Sequence, residues 1–74
     1  MKNKSKLKSI HEGRLYLIEE DIPEVGWYLY VFKDKTESVC IYDHLQDELD
    51  YAKNQALKDY GVPLDSWEKK WREL

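Results

Sequence analysis

The chain has 74 residues, is 42% hydrophobic and 36% charged, carries a net charge of -3 and contains three Trp, six Tyr and one Phe. That length supports one domain with one modest core, since so short a chain buries only about 60–65% of the surface its unfolded form exposes, and it excludes a large enclosed active site. The apolar and aromatic content is too high for intrinsic disorder, and no apolar run approaches the ~18 residues of a membrane span or follows the basic N-terminus as in a signal peptide.

Charge is unevenly distributed. Residues 1–14 carry five basic side chains (Lys2, Lys4, Lys6, Lys8 and Arg14) against Glu12, whereas residues 15–74 carry seven basic and fourteen acidic ones. An acidic body repels a phosphate backbone, and a four-lysine tail alone supplies only weak, salt-sensitive attraction, so nucleic-acid binding through Lys2–Lys8 is an alternative expectation and not the leading one. Cys40 is the sole cysteine. It leaves no partner for an intrachain disulfide or a cysteine-based zinc site and fits a reducing, cytoplasmic compartment.

Residues 1–9 alternate Lys with small or polar residues and are predicted to form a flexible basic tail before a single α+β domain over residues 10–74. His11–Glu12 beside Gly13 reads as a solvated lead-in. A first strand is predicted at Arg14–Glu19, ending in a loop over Glu20–Gly26 that holds Pro23 and Gly26. The acidic run Glu19, Glu20, Asp21 and Glu24 reads as a solvated loop or as a docking site for a basic partner. The second strand, Trp27–Lys33, has six consecutive residues of high β-propensity. A short turn at Asp34–Thr36 leads to a third strand, Glu37–Asp43, in an antiparallel hairpin.

A helix is predicted from His44 to Tyr60, with Asp43 as N-cap, Gln46 as capping-box partner and Asp47 and Glu48 favoured by the helix dipole. Leu45, Leu49, Ala52, Ala56 and Tyr60 draw one apolar stripe. Gly61 supplies a left-handed residue to end the helix and Pro63 prevents its continuation. A short C-terminal helix at Ser66–Arg72, capped by Asp65, places Trp67 and Trp71 on one side.

The predicted fold class is therefore α+β: a three-stranded antiparallel meander followed by one long helix on one face and a short C-terminal helix. Alternation along the strands gives a helix-side core of Leu29, Val31, Ile41, Leu49, Ala52 and Ala56, with Leu15 and Leu17 beside it. It leaves Tyr16, Tyr28, Tyr30, Phe32 and Tyr42 on the opposite face, which one helix cannot also cover. Either the C-terminal segment, through Leu64, Trp67 and Trp71, folds over these rings, or the tyrosines stand half-wet with their hydroxyls in water. The functional alternative is an aromatic patch that binds another protein or a second copy of the chain.

Signals for chemistry are sparse. Cys40 lacks a neighbouring base and reads as a small core residue. His44 with Asp47 and Glu48 has the spacing to touch a divalent metal, giving a metal-assisted enzyme as a third reading, but capping and dipole roles explain the same acids. Two histidines and one cysteine do not assemble four zinc ligands, so tight zinc binding is not expected, and no cofactor is implied. Gly13, Gly26 and Gly61 form no phosphate-binding loop.

The order of strands and helix is similar to the later part of a double-stranded RNA-binding domain, and the tyrosine face to an RNA-recognition sheet. The first family, however, has a lysine cluster where this chain has Asp47 and Glu48, and the aromatic-glycine signature of the second is missing. The segment Asp43–Trp67, with D-x-L-Q-D, A-K-x-Q-A-L and Y-G-V-P-L-D-S-W, resembles short uncharacterised bacterial proteins that join a small β-meander to a helix. That resemblance implies a bacterial source and no activity. Small antitoxin domains of the HicB type share strands that precede a helix. The function expected is a small non-enzymatic protein-interaction module, an antitoxin- or immunity-type inhibitor being its sharpest form.

Overall fold

The structure, a computed structural model, describes residues 6–20, 26–37 and 39–69. The chain order is β1 (Lys6–His11), β2 (Arg14–Glu20), β3 (Trp27–Phe32), β4 (Cys40–Gln46), helix α1 (Leu49–Tyr60), a 3-10 turn (Leu64–Ser66) and β5 (Glu68–Lys69). The strands form one antiparallel sheet in the order β4-β3-β2-β1-β5. The α+β class stands, but four strands precede the helix instead of three.

The added strand is β1, which takes Lys6–Ser9 out of the expected basic tail; residues 1–5 lie outside the described residues. Its cause is the turn after it. Glu12 and Gly13 hold φ of 53° and 77°, the pair of positive values of a two-residue type I′ hairpin, whose twist matches that of the strands it joins. His11 and Arg14 close that hairpin, and Leu7 and Ser9 are carried into the interior opposite Ile18 and Tyr16.

Helix α1 begins five residues later than predicted. Asp43, His44, Leu45 and Gln46 stand opposite Tyr30, Leu29, Tyr28 and Trp27, so β4 pairs with β3 in unbroken register through the residues predicted to start the helix. The sheet ladder takes the backbone groups that a helix start at His44 needs, and Asp43 is not a cap. Glu48 occupies the N-cap position without a side-chain cap bond, and its carbonyl accepts from Ala52 N–H at 3.2 Å. Leu45 thereby leaves the helical stripe and is 56% exposed.

The main core lies between α1 and one sheet face. Leu7, Tyr16, Ile18, Leu29 and Val31 meet Ala52, Ala56 and Val62, with Trp27, Leu49, Tyr60 and Trp67 half-buried at its rim. Alanines at 52 and 56, both fully buried, let the helix approach β3 closely. Of the core residues predicted, Leu29, Val31, Ala52 and Ala56 are buried together and Leu49 packs on them. Ile41 does not join them; it is 38% exposed at the irregularity where Phe32 stands opposite Cys40 and Val31 opposite Tyr42. One extra residue in β4 breaks the alternation there.

Gly61 ends α1 with φ 78°, as expected, and its N–H donates to the Leu57 carbonyl at 2.9 Å while Val62 N–H reaches Ala56 at 3.2 Å. No C-terminal helix forms over Ser66–Lys69. Ser66 Oγ donates to the Pro63 carbonyl at 2.8 Å, so the Ser9 hydroxyl donates to Ser66 Oγ at 2.7 Å, tying β1 to the 3-10 turn. With the chain held there, Glu68 and Lys69 align with Lys8 and Leu7 as β5. Trp67 turns into the helix-side core; Trp71 lies outside the described residues.

Two stability outcomes follow from this packing. Gly61→Ala is expected to lower unfolding stability by about 1 kcal/mol in a denaturant titration, the cost of holding a side chain in the left-handed region. Ile18→Ala, at a fully buried site, is expected to cost roughly 2–5 kcal/mol, whereas Leu45→Ala, half outside the core, should stay within about 0.5 kcal/mol. Equal losses at positions 18 and 45 would contradict the strand assignment of Leu45.

Candidate interaction surface

The five aromatic residues expected on one face are divided between two. Val31 faces α1, and Tyr16 and Tyr42 stand directly opposite it on β2 and β4. Directly opposed residues in a sheet share a face, so both rings lie on the helix side. Tyr16 is buried with its ring 5.6 Å from that of Tyr60. Tyr42 lies 6.4 Å from Tyr60 and from the His44 ring, yet remains 55% exposed. A one-residue difference in register exchanges the two sides of a strand, which is why the expected grouping fails for these two rings.

Tyr28, Tyr30 and Phe32 do lie together on the face away from α1. The rings of Tyr28 and Tyr30 stack at 5.7 Å and 14°. Phe32 is buried with Leu15 and Leu17 in a second, smaller cluster on which Tyr30 packs. Leu15 and Leu17 thus belong to this face and not to the helix side. Among the described residues no helix or strand is layered over it, and Trp67 does not reach it because it packs on the other side. Leu45, opposite Tyr28, extends the row to the sheet edge, its Cδ1 lying against Gly26 where an added Cβ would meet it at 3.0 Å.

Burial raises the Tyr30 hydroxyl pKa first, helped by the negative charges of Glu19 and Asp43. Burial likewise raises that of Tyr60, with Asp59 adding to it and Arg14 opposing it. Both phenols are therefore neutral hydrogen-bonding groups at physiological pH. Tyr60 Oη lies 3.0 Å from His44 Nε2, and Gln46 Nε2 donates to Gln55 Oε1 at 2.7 Å. Alternate residues of β4 thus tie its helix-side face to α1, a link invisible while residues 44–46 were read as helix. The alternation Tyr42-x-His44-x-Gln46 was the available signal.

The other candidate centres disperse. His44 is on a strand and engaged with Tyr60 instead of forming a helical cluster with Asp47 and Glu48, and no group of three metal-type ligands occurs among the described residues. Cys40 is exposed, not in the core, and its Sγ donates to the Tyr42 carbonyl at 3.2 Å. Glu19 and Glu20 are half-buried in β2, while Asp21 and Glu24 lie outside the described residues, as do Lys2 and Lys4. Lys6 and Lys8 sit on β1. No helix of the described residues is long and apolar enough to cross a membrane. Comparison with family profiles, with curated proteins and with solved structures gives no match.

Exposed large apolar residues concentrate along one strand, on both of its faces. Among the described residues there are eight, and Val39, Ile41, Tyr42 and Leu45 are four of them; all four lie on β4 or immediately before it. Tyr51, on the flank of α1 above Gln46, is a fifth. The edge formed by β4 is therefore the most apolar exposed surface described.

Raised phenol pKa values carry a sign. A tyrosine whose folded pKa exceeds its unfolded value near 10 contributes stability that is full below pH 10 and lost as pH rises through the folded pKa. Phenolate absorbance in an alkaline titration should show two tyrosines ionising late, and Tyr60→Phe should remove one of them. Loss of the bond to His44 in that variant should cost about 0.5–1.5 kcal/mol at neutral pH.

Proposed function

We propose that the protein is a small, non-enzymatic interaction module that holds another polypeptide along the β4 edge, with the Tyr28–Tyr30 stack as the adjoining wall. The observation that carries this reading is the clustering of Val39, Ile41, Tyr42 and Leu45, four of the eight exposed large apolar residues described, on one strand and its approach. Scattered apolar residues need no explanation, whereas their concentration along one edge strand favours a contact surface. Tyrosine is well suited to such a surface, since it buries a large ring and keeps a hydroxyl for hydrogen bonding. An exposed, unpaired Cys40 thiol fits a reducing cytoplasm.

A photo-reactive side chain in place of Leu45 tests this in native lysate, with the same group in place of Leu57 on the opposite flank of the helix as control. A discrete protein adduct from position 45 and none from position 57 is expected. Equal labelling from both positions, or none from either, would overturn the reading.

A further inference from the structure

The two edges of the sheet differ in a way that bears on the partner. Beyond β1 lies β5, whose described residues are Glu68 and Lys69. Charged side chains on an edge strand are a common protection against edge-to-edge pairing. The other edge is β4, seven residues with no Lys, Arg or Pro and a single charge at Asp43. Its irregularity is confined to the first residues, and Tyr42–Gln46 continues in unbroken register. No strand among the described residues pairs with its outer side.

Helix α1 packs on both β3 and β4; taken midway between them, its axis stands about half a strand spacing inside the edge. Neighbouring strands are about 4.8 Å apart. A second β4 added antiparallel across a two-fold axis therefore sets the two α1 helices two spacings apart, roughly 10 Å, which is the separation at which helices pack. The flank that faces this gap carries Tyr51, Asn54, Gln55, Lys58 and Asp59, which with Gln46 line a shallow groove. Tyr51 is 57% exposed there. The antiparallel arrangement also sets the C-terminal end of one helix beside the N-terminal end of the other, where the helix dipoles are complementary.

We propose that the protein is a two-fold dimer in which two β4 strands pair antiparallel to make one continuous sheet, with Tyr51 of each copy buried between the helices. This rests on the interaction-module reading and names a second copy of the chain as the partner. The helix spacing favours a copy over an unrelated extended segment, because a copy brings a helix at the matching height. Such a contact uses the same surface on both copies and closes at two, so it leaves no free β4 edge for further growth.

Sedimentation equilibrium of the purified full chain is expected to give twice the 9.0 kDa monomer mass, with concentration-dependent hydrogen-exchange protection of β4 amides. Tyr51→Lys and Ile41→Lys should each weaken the dimer at least about tenfold, while Leu57→Lys leaves it unchanged. Tyr51 is exposed on a helix surface, so its variant tests the contact even if Ile41→Lys fails to fold. A chain that stays monomeric to about millimolar concentration, or a dimer indifferent to Tyr51→Lys, would falsify the proposal. A foreign adduct at position 45 from a chain that is monomeric when pure rejects the dimer and keeps the interaction module; no adduct at all rejects both.

Discussion

Strand β3 is the constraint on which the rest of the structure depends. It is paired along both sides, with β2 and with β4, and its own alternation is unambiguous: Leu29 and Val31 are fully buried against α1. Every residue opposite Leu29 or Val31 is thereby committed to the helix side and every residue opposite Tyr28 or Tyr30 to the other. Ile18 and His44 flank Leu29; Tyr16 and Tyr42 flank Val31. The composition of both faces follows from those four pairings, because antiparallel register allows no independent choice of face for a neighbour.

The elements with strong local signals were legible in the residues: β3, most of β2, the body of α1 from Leu49 and its stop at Gly61. What was not legible has local physical causes. The hairpin at Glu12–Gly13 places a glutamate in the left-handed region, where Asn or Asp is the usual signal, so β1 passed for a tail. Asp43 and Gln46 carry the chemistry of a capping box, but a capping bond contributes about 1 kcal/mol, and extending the ladder with β3 engages four successive residues instead. Alternation within β2 was recognisable, yet its parity relative to β3 was not. Leu15 and Leu17 are no less apolar than Tyr16 and Ile18, and only the register across the β2–β3 connection distinguishes them.

The same ambiguity explains how the candidate surface changed its membership. An aromatic row read from strand alternation included Tyr16 and Tyr42, but these rings instead form a helix-side cluster with Tyr60 and His44. Their place beside Tyr28 and Tyr30 is taken by Leu45, a residue that helical spacing had assigned to the core. The exposed apolar surface consequently moved from the middle of the sheet toward its β4 edge. Phe32, Leu15 and Leu17 are already buried against one another, so the middle of that face has much less apolar area left to give to a partner than the edge has.

An edge strand of this kind has a cost that the sequence had simple means to avoid. One lysine at Ile41 or Leu45 would oppose pairing along β4, as charge on an edge strand does, and neither position supports the main core. Neither carries one. The helix-side residues of β4 are meanwhile tied to α1, with His44 bonded to Tyr60 and Gln46 to Gln55, while among the described residues no strand pairs with its outer side. A fixed strand with unpaired outward groups loses little further conformational freedom when another strand is added, which lowers the entropic cost of association. Side chains tied to the helix on one side of β4 and exposed apolar residues along its edge are the combination that pairing at an edge requires.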